Sequence, residues 1–183
     1  MDGHHLILGE TVDYLTGETI EDTHDERYRQ KIAQILVLAK GYAKSEIEVR
    51  KDLLTRAGDN KAIVKIDCLI RLQGKARMIV KYGPGSLVTR QRPALAASRL
   101  VEDYQIPIVA VTNGEDAEIL DGASGKVISK GIGAIPSREE LLQLTANAAF
   151  QEISADRAEM ESRIFYCYEV DGSCPCDDTV CRL

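Results

Sequence analysis

The sequence predicts a mixed α/β domain, an antiparallel meander plus following strands flanked by helices. Three observations predict it. Residues 62–72 (AIVKIDCLIRL) and 76–82 (ARMIVKY) are Ile/Val/Leu-rich runs separated by Gln73-Gly74, the pattern of paired strands. Segments on either side repeat their apolar residues at 3–4 spacing behind capping residues, the pattern of amphipathic helices. The 183 residues, 44% apolar and 28% charged, suffice for a core without disulfides. No apolar run approaches the ~18 residues of a membrane helix. No basic segment followed by an apolar one opens the chain, so a cytoplasmic location is expected. His4 and His5 form a bare pair with no further meaning.

Residues 6–20 hold two short apolar runs about Thr16-Gly17, a hairpin signal. Thr23 followed by Glu26 reads as a capping box. Tyr28, Ile32, Ile35, Leu36 and Ala39 continue it as a helix over about 23–40 that closes at Gly41. A short strand at 46–50 precedes the two long ones. Tyr82-Gly83-Pro84-Gly85-Ser86 breaks regular structure. The next helix is expected from about Pro93, in its first turn, to Tyr104. Residues 106–112 (IPIVAVT) form the kind of run buried on both faces of a sheet. Asn113-Gly114 is a turn, with short strands at about 117–121 and 126–130. A capping box of Ser137 and Glu140 opens a last helix to about Met160. The expected organisation is a domain over 1–161 and a cysteine-rich tail over 162–183.

The stretches DYLTGE and ERYRQ, the two strands, and IPIVAVTNGEDAEILD together resemble the N-terminal domain of type I restriction enzyme R subunits. The likeness is closest to the small stand-alone proteins that carry this domain, within the PD-(D/E)xK restriction-endonuclease-like superfamily, and spans about residues 9–135. The resemblance implies a core of helix, three-strand antiparallel meander, second helix and following strand. It also implies an Asp on one strand and an E-x-K on its partner, converging on Mg²⁺ and on a water that attacks a phosphodiester. Matched residue by residue, the Asp is Asp67 and the Lys is Lys81, while the acid position holds Ile79. Residues i and i+2 share a strand face, so Ile79 places a hydrocarbon beside Lys81 where a metal ligand belongs. Mg²⁺ at Asp67 then requires another carboxylate, for which Glu48 and Glu26 are the candidates. Taken singly, Asp67 is a strand acid with Lys65 and Arg71 nearby, and Lys81 an ordinary strand lysine.

Charge is unevenly distributed. The chain carries −6 in all, but residues 61–99 hold nine basic residues and a single acid, a local charge of +8 inside a frame of −14. Within this segment the loop YGPGSLVTRQR supplies Ser86, Thr89, Arg90, Gln91 and Arg92 beside two glycines, donors suited to phosphate at a helix start. The basic segment makes a nucleic-acid backbone the expected partner. No aromatic ladder interleaves it, so base stacking is not expected. A solvated turn with two arginines is the plainer reading.

Cys167, Cys174, Cys176 and Cys181 form C-x6-C-x-C-x4-C near the C-terminus. Four thiolates fit Zn²⁺ or an iron–sulfur cluster, but the C-x2-C knuckle is missing. A reduced tail is the alternative. Cys68 reads as a small buried hydrophobe. No G-x-G-x-x-G or P-loop occurs, and all three histidines precede residue 25. The sequence therefore points to a catalytically degenerate nuclease-like domain that binds DNA or a DNA-processing protein partner. An active Mg²⁺-dependent endonuclease and a regulatory module with a metal-bearing tail are the alternatives. No pattern in the sequence specifies an oligomeric state.

Overall fold

The computed structural model describes residues 7–171, 173 and 179–183. Strands β1 (Gly9–Val12) and β2 (Thr19–Asp22) form the expected hairpin. Helix α1 (His24–Gln34) starts on Thr23, whose side chain accepts the Glu26 N–H, and continues as a π-helical turn over Ile35–Ala39. The Glu26 carboxylate faces Gln30 and Arg50 (2.7 and 2.9 Å). Then come β3 (Ile47–Ala57), β4 (Asn60–Leu72) and β5 (Lys75–Tyr82), an antiparallel meander. The first of these is twice the expected length. Its continuation pairs with β4 down to a two-residue Gly58-Asp59 loop, in which Gly58 takes a φ of 61°.

Helix α2 (Leu87–Ala97) connects β5 to β6 (Ile108–Thr112), which pairs with it in parallel. The helix begins six residues before Pro93, which lies inside it. The carbonyl that Pro93 cannot engage is that of Thr89, in the exposed first turn, so the proline is tolerated. Strands β7 (Ala117–Asp121) and β8 (Val127–Lys130) finish the six-strand path, and β9 (Val180–Arg182) pairs with β4. The expected last helix is two: α3 (Arg138–Leu144), with the full Ser137/Glu140 capping box, and α4 (Ala155–Tyr166), capped by Ser154. The break follows from Thr145, whose hydroxyl turns back to the Leu141 carbonyl and accepts Arg77 Nη1 at 2.8 Å.

The sheet lies between two helical layers. On one face Ala94, Ala96 and Ala97 of α2 and Phe165 and Tyr166 of α4 pack on Val64, Ile66, Leu69, Ile79, Val109 and Val111. On the other, Ile32, Leu36, Tyr42 and Leu141 pack on Cys68, Ile70, Met78, Val80 and Ile119. The order α1–β3–β4–β5–α2–β6 is the core that the family resemblance implied. The expected boundary at 161/162 falls within α4, whose Phe165 is fully buried, and Val170 beyond it is buried too.

One irregularity positions the site. In β4, Ala62, Val64 and Ile66 face the α2/α4 layer, whereas Cys68, Ile70 and Leu72 face the α1/α3 layer. The β3–β4 register runs through Val49↔Cys68 and Lys51↔Ile66 but skips the pair between them, Arg50 and Asp67. Arg50 has a φ of 50°, left-handed backbone that a side chain rarely adopts. This kink reverses the inward–outward alternation of both strands together, so their register is kept on either side of it. It leaves Arg50 and Asp67 at the seam.

Candidate functional site

Beyond Cys68↔Val80, the last registered pair of that ladder, β4 and β5 part. Asp67 stands at the fork and accepts the Tyr82 backbone N–H at 3.0 Å, a group no ladder partner meets. Its other oxygen accepts Arg29 Nε of α1 at 2.8 Å. Lys81 Nζ lies 3.5 Å from Asp67 and 3.2 Å from Glu169 Oε2, in the π-helical turn that follows α4. The structure thus brings Asp67 and Lys81 together, as expected. Ile79 is fully buried on the α2/α4 face.

These groups extend into a continuous chain of opposite charges. Arg29 also lies 3.7 Å from Glu26. Glu26 pairs with Arg50 at 2.9 Å, and Arg50 with Asp13 at 2.8 Å. A cavity of about 60 Å³ is lined by Asp13, Glu26, Arg29, Arg50, Asp67 and Cys68 among others. Four carboxylates and three cations alternate from the N-terminal hairpin to the C-terminal turn.

Burial opposes ionisation of Asp67, but the Lys81 and Arg29 charges, the Arg29 hydrogen bond and the Tyr82 N–H prevail and hold it below the ordinary aspartate value. Burial likewise opposes the Lys81 ammonium, yet Glu169 and Asp67 hold it above the usual lysine range. Asp13, also working against burial, is held at about 2 by the Thr16 N–H, Gln30 and Arg50. Burial, with the Asp67 charge adding, pushes the Cys68 thiol far up, so it stays protonated and inert.

Neither carboxylate expected to assist Asp67 does so. Glu48 is engaged by Lys51 (2.8 Å) and Arg71 (3.0 Å), and Glu26 by Arg50 and Gln30. The carboxylate that arrives is Glu169, for which the sequence carries no signal. Arg29 and Gln30 are also new to the site, although both lie in the ERYRQ stretch.

The loop residues are dispersed. Ser86 caps α2 without a side-chain hydrogen bond, and no acid occupies the first turn. Thr89 donates to the Ser86 carbonyl at 2.8 Å, and both are exposed. Arg90 lies against Gly83, where a Cβ would meet its Nε at 2.8 Å. Gln91 donates to Glu118, away from the loop. Arg92 faces Glu161 of α4 at 2.6 Å, a buried carboxylate it shares with Arg99 and Arg157. The local charge of +8 is therefore not one surface. Lys81 and Arg99 are in buried ion pairs, part-exposed Arg71 and Arg92 are paired with acids, and Arg77 is buried on the Leu72 carbonyl and Thr145.

Of the four C-terminal cysteines, Cys167 and Cys181 are exposed free thiols, while Cys174 and Cys176 lie outside the described residues. Among the described residues no group of three or more His, Cys, Asp or Glu could hold a metal ion, and no helix is long and apolar enough to cross a membrane.

No curated protein and no solved structure matches the chain. A family model described as type I restriction enzyme R protein N terminus matches residues 24–136, which include Arg29, Asp67, Lys81 and the Ser86–Arg92 loop but neither Glu169 nor the cysteines near it. With well over half its length so matched, and with the helix–meander–helix–strand core in place, the chain belongs to the family of type I restriction enzyme R protein N-terminal domains.

Proposed function

We propose that this is a restriction-endonuclease-like domain whose hydrolytic centre has been replaced by an internal ion-pair chain. Its role is to bind DNA, or a DNA-processing partner. The observation that carries the reading is Ile79, fully buried two residues from Lys81 at the position where the family motif needs an acid. The remaining donors do not fit Mg²⁺. Each Asp67 oxygen already accepts a hydrogen bond, one from Arg29 and one from the Tyr82 N–H, and Glu169 Oε2 accepts one from Lys81, which leaves few lone pairs open. A hard cation that dehydrates reluctantly needs more open oxygens than these.

DNA contact falls to the start of α2. Its first-turn N–H groups have no side-chain cap and no neighbouring acid, and exposed Ser86 and Thr89 and part-exposed Arg90 surround them. This is the chemistry of a phosphate contact without base reading. The C-terminal cysteines stay a proposed Zn²⁺ or iron–sulfur ligand set, to be tested by metal analysis of anaerobically prepared protein.

One observation favours the rival reading of an active nuclease: Glu169 brings a second carboxylate to Lys81. Supercoiled plasmid incubated with Mg²⁺ or Mn²⁺ separates the two. The expected result is intact plasmid. Cleavage that disappears in Lys81→Ala would establish the active enzyme instead.

A further inference from the structure

Strand β3 ends the large sheet and pairs with β4 alone, so one of its edges is open. The direction of its backbone groups follows from β4. The Lys61 carbonyl accepts the Leu183 N–H, and the Lys65 N–H donates to the Thr179 carbonyl, both at 2.9 Å. Lys61 and Lys65 therefore turn their backbone toward β9, away from β3. Direct opposites in an antiparallel ladder either exchange hydrogen bonds or both turn away, in alternation. The β3 residues opposite Lys65, Ile63 and Lys61 are Asp52, Leu54 and Arg56, and these three turn outward.

Two features bound the open stretch. At one end the Arg56 N–H donates to Ser162 Oγ of α4 at 2.7 Å, and its carbonyl accepts the same hydroxyl at 3.1 Å. At the other end is the kink at Arg50, with its φ of 50°. Between them lies the run from Lys51 to Thr55. The outward N–H and C=O groups of Asp52 and Leu54 have no hydrogen-bond partner among the described residues. The Leu54 side chain is 44% exposed. On the same face, Asp52 and Arg56 are exposed and have no ion-pair partner among the described residues. An edge of this kind is a template for another strand.

We propose that the strand it takes is β3 of a second copy of this chain, antiparallel about a two-fold axis at Leu53, so that two sheets join edge to edge. Leu53 is the midpoint of the open run, so the stops at Arg50 and Arg56 set the axis. Asp52 then stands opposite Leu54 of the second copy, and each such pair exchanges two main-chain hydrogen bonds. Every open group of the run is used, and Arg56 falls opposite the kink, outside the pairing. The neighbouring registers are worse. An axis at Asp52 sets the two Asp52 carboxylates opposite each other and runs Leu54 onto the kink. An axis at Leu54 sets Asp52 against the Arg56 backbone, which Ser162 already holds. The charges choose a second copy over an unrelated strand. About Leu53 the edge is complementary to itself, because Asp52 lies diagonal to Arg56 of the other copy, within reach of so long a side chain.

Sedimentation equilibrium of the full chain at low salt tests this. A small interface predicts a dimer half-formed on the order of 100 μM. Asp52→Arg and Arg56→Asp, each shown folded by circular dichroism, should both weaken it about tenfold, because each sets like charges on both diagonals. The double variant Asp52→Arg/Arg56→Asp reverses both charges and should restore the parent's dimer. Lys65 and Lys61, opposite these positions in the same copy, act alike on monomer and dimer. In parallel, amide exchange followed by NMR should slow with rising concentration at Asp52 and Leu54. It should not change at Leu53 and Thr55, whose N–H groups face β4. Weakening by both single variants, rescue by the double and protection of Asp52 and Leu54 support the pairing. A monomer at every concentration overturns it and leaves this edge to a strand of another protein. A dimer that neither charge variant weakens, or that leaves the Asp52 and Leu54 amides unprotected, overturns it as well.

Discussion

Lys81 and Glu169 meet at 3.2 Å across 88 residues of chain, and through them the π-helical turn after α4 is tied to the middle of the sheet. The Phe165 ring, 5.9 Å from the same ammonium, covers the contact on its apolar side. A charge so enclosed is costly to orphan but not costly to share. Lys81→Met should therefore lower stability by about 3 kcal/mol, because Glu169 loses its counter-ion and Asp67 keeps only Arg29. In a chain of this length that is a fall of about 6–12 °C in Tm. Adding Glu169→Gln should return part of the loss, a positive coupling that a double-mutant cycle in urea measures directly.

Position 79 tests whether the pocket beside Lys81 is dry. Ile79→Val should cost about 1 kcal/mol, the usual penalty for one buried methyl. Ile79→Glu restores the family acid on paper, yet it places a carboxyl among Leu69, Ala96 and Val109. It should destabilise the fold by about 3 kcal/mol or more and restore no plasmid cleavage. A folded Ile79→Glu protein as stable as its parent would mean that water reaches the pocket, and the degenerate-site reading would fall.

The sequence made the meander legible because 62–72 and 76–82 are long, apolar and separated by Gln73-Gly74, both of which adopt positive φ. Asp67 and Lys81 were legible only through the family resemblance, since each taken singly is an ordinary strand residue. What it concealed depends on contacts that no local pattern records. Glu26 looked like a capping partner because the Thr23–Glu26 spacing fits one, but two cations and an amide outbid the Thr23 N–H for its carboxylate. Arg92 looked like a free cation because its partner, Glu161, lies on a distant helix. Pro93 misled for another reason: proline favours a helix start but does not require one when the orphaned carbonyl is exposed.

Acid should unfold this protein in a defined window. Asp13, held at about 2 against an ordinary 3.8, and Asp67 and Glu161, also lowered, all bind protons more weakly when folded. Depressed carboxyls stabilise above their unfolded values, and that contribution is lost as pH falls through the folded ones. Lys81 has the opposite sign: its contribution is complete at neutral pH and fades only above the usual lysine range. The urea midpoint should therefore be level from about pH 5 to 9 and fall steeply between about pH 4 and 2. Asp13→Asn should flatten part of the acid limb. At neutral pH it should cost about 2 kcal/mol through weakened hydrogen bonds from Leu15, Thr16, Gln30 and Arg50.

The two loop arginines should behave differently, and the difference locates the DNA contact. Among the described residues Arg90 has only a long contact to the Pro84 carbonyl, 3.5 Å, so its charge is available to a phosphate. Arg92 is engaged with Glu161, together with Arg99 and Arg157. If DNA lies across the start of α2, Arg90→Ala should weaken duplex binding several-fold and reduce the slope of log affinity against log salt by about 1. Its Tm should stay near that of the parent. Arg92→Ala should instead lower the Tm by a few degrees, since α2 loses a tie to α4, while the salt slope stays as it was. Unchanged affinity and slope in Arg90→Ala would remove the start of α2 from the DNA-binding surface and leave protein binding as the role of this face.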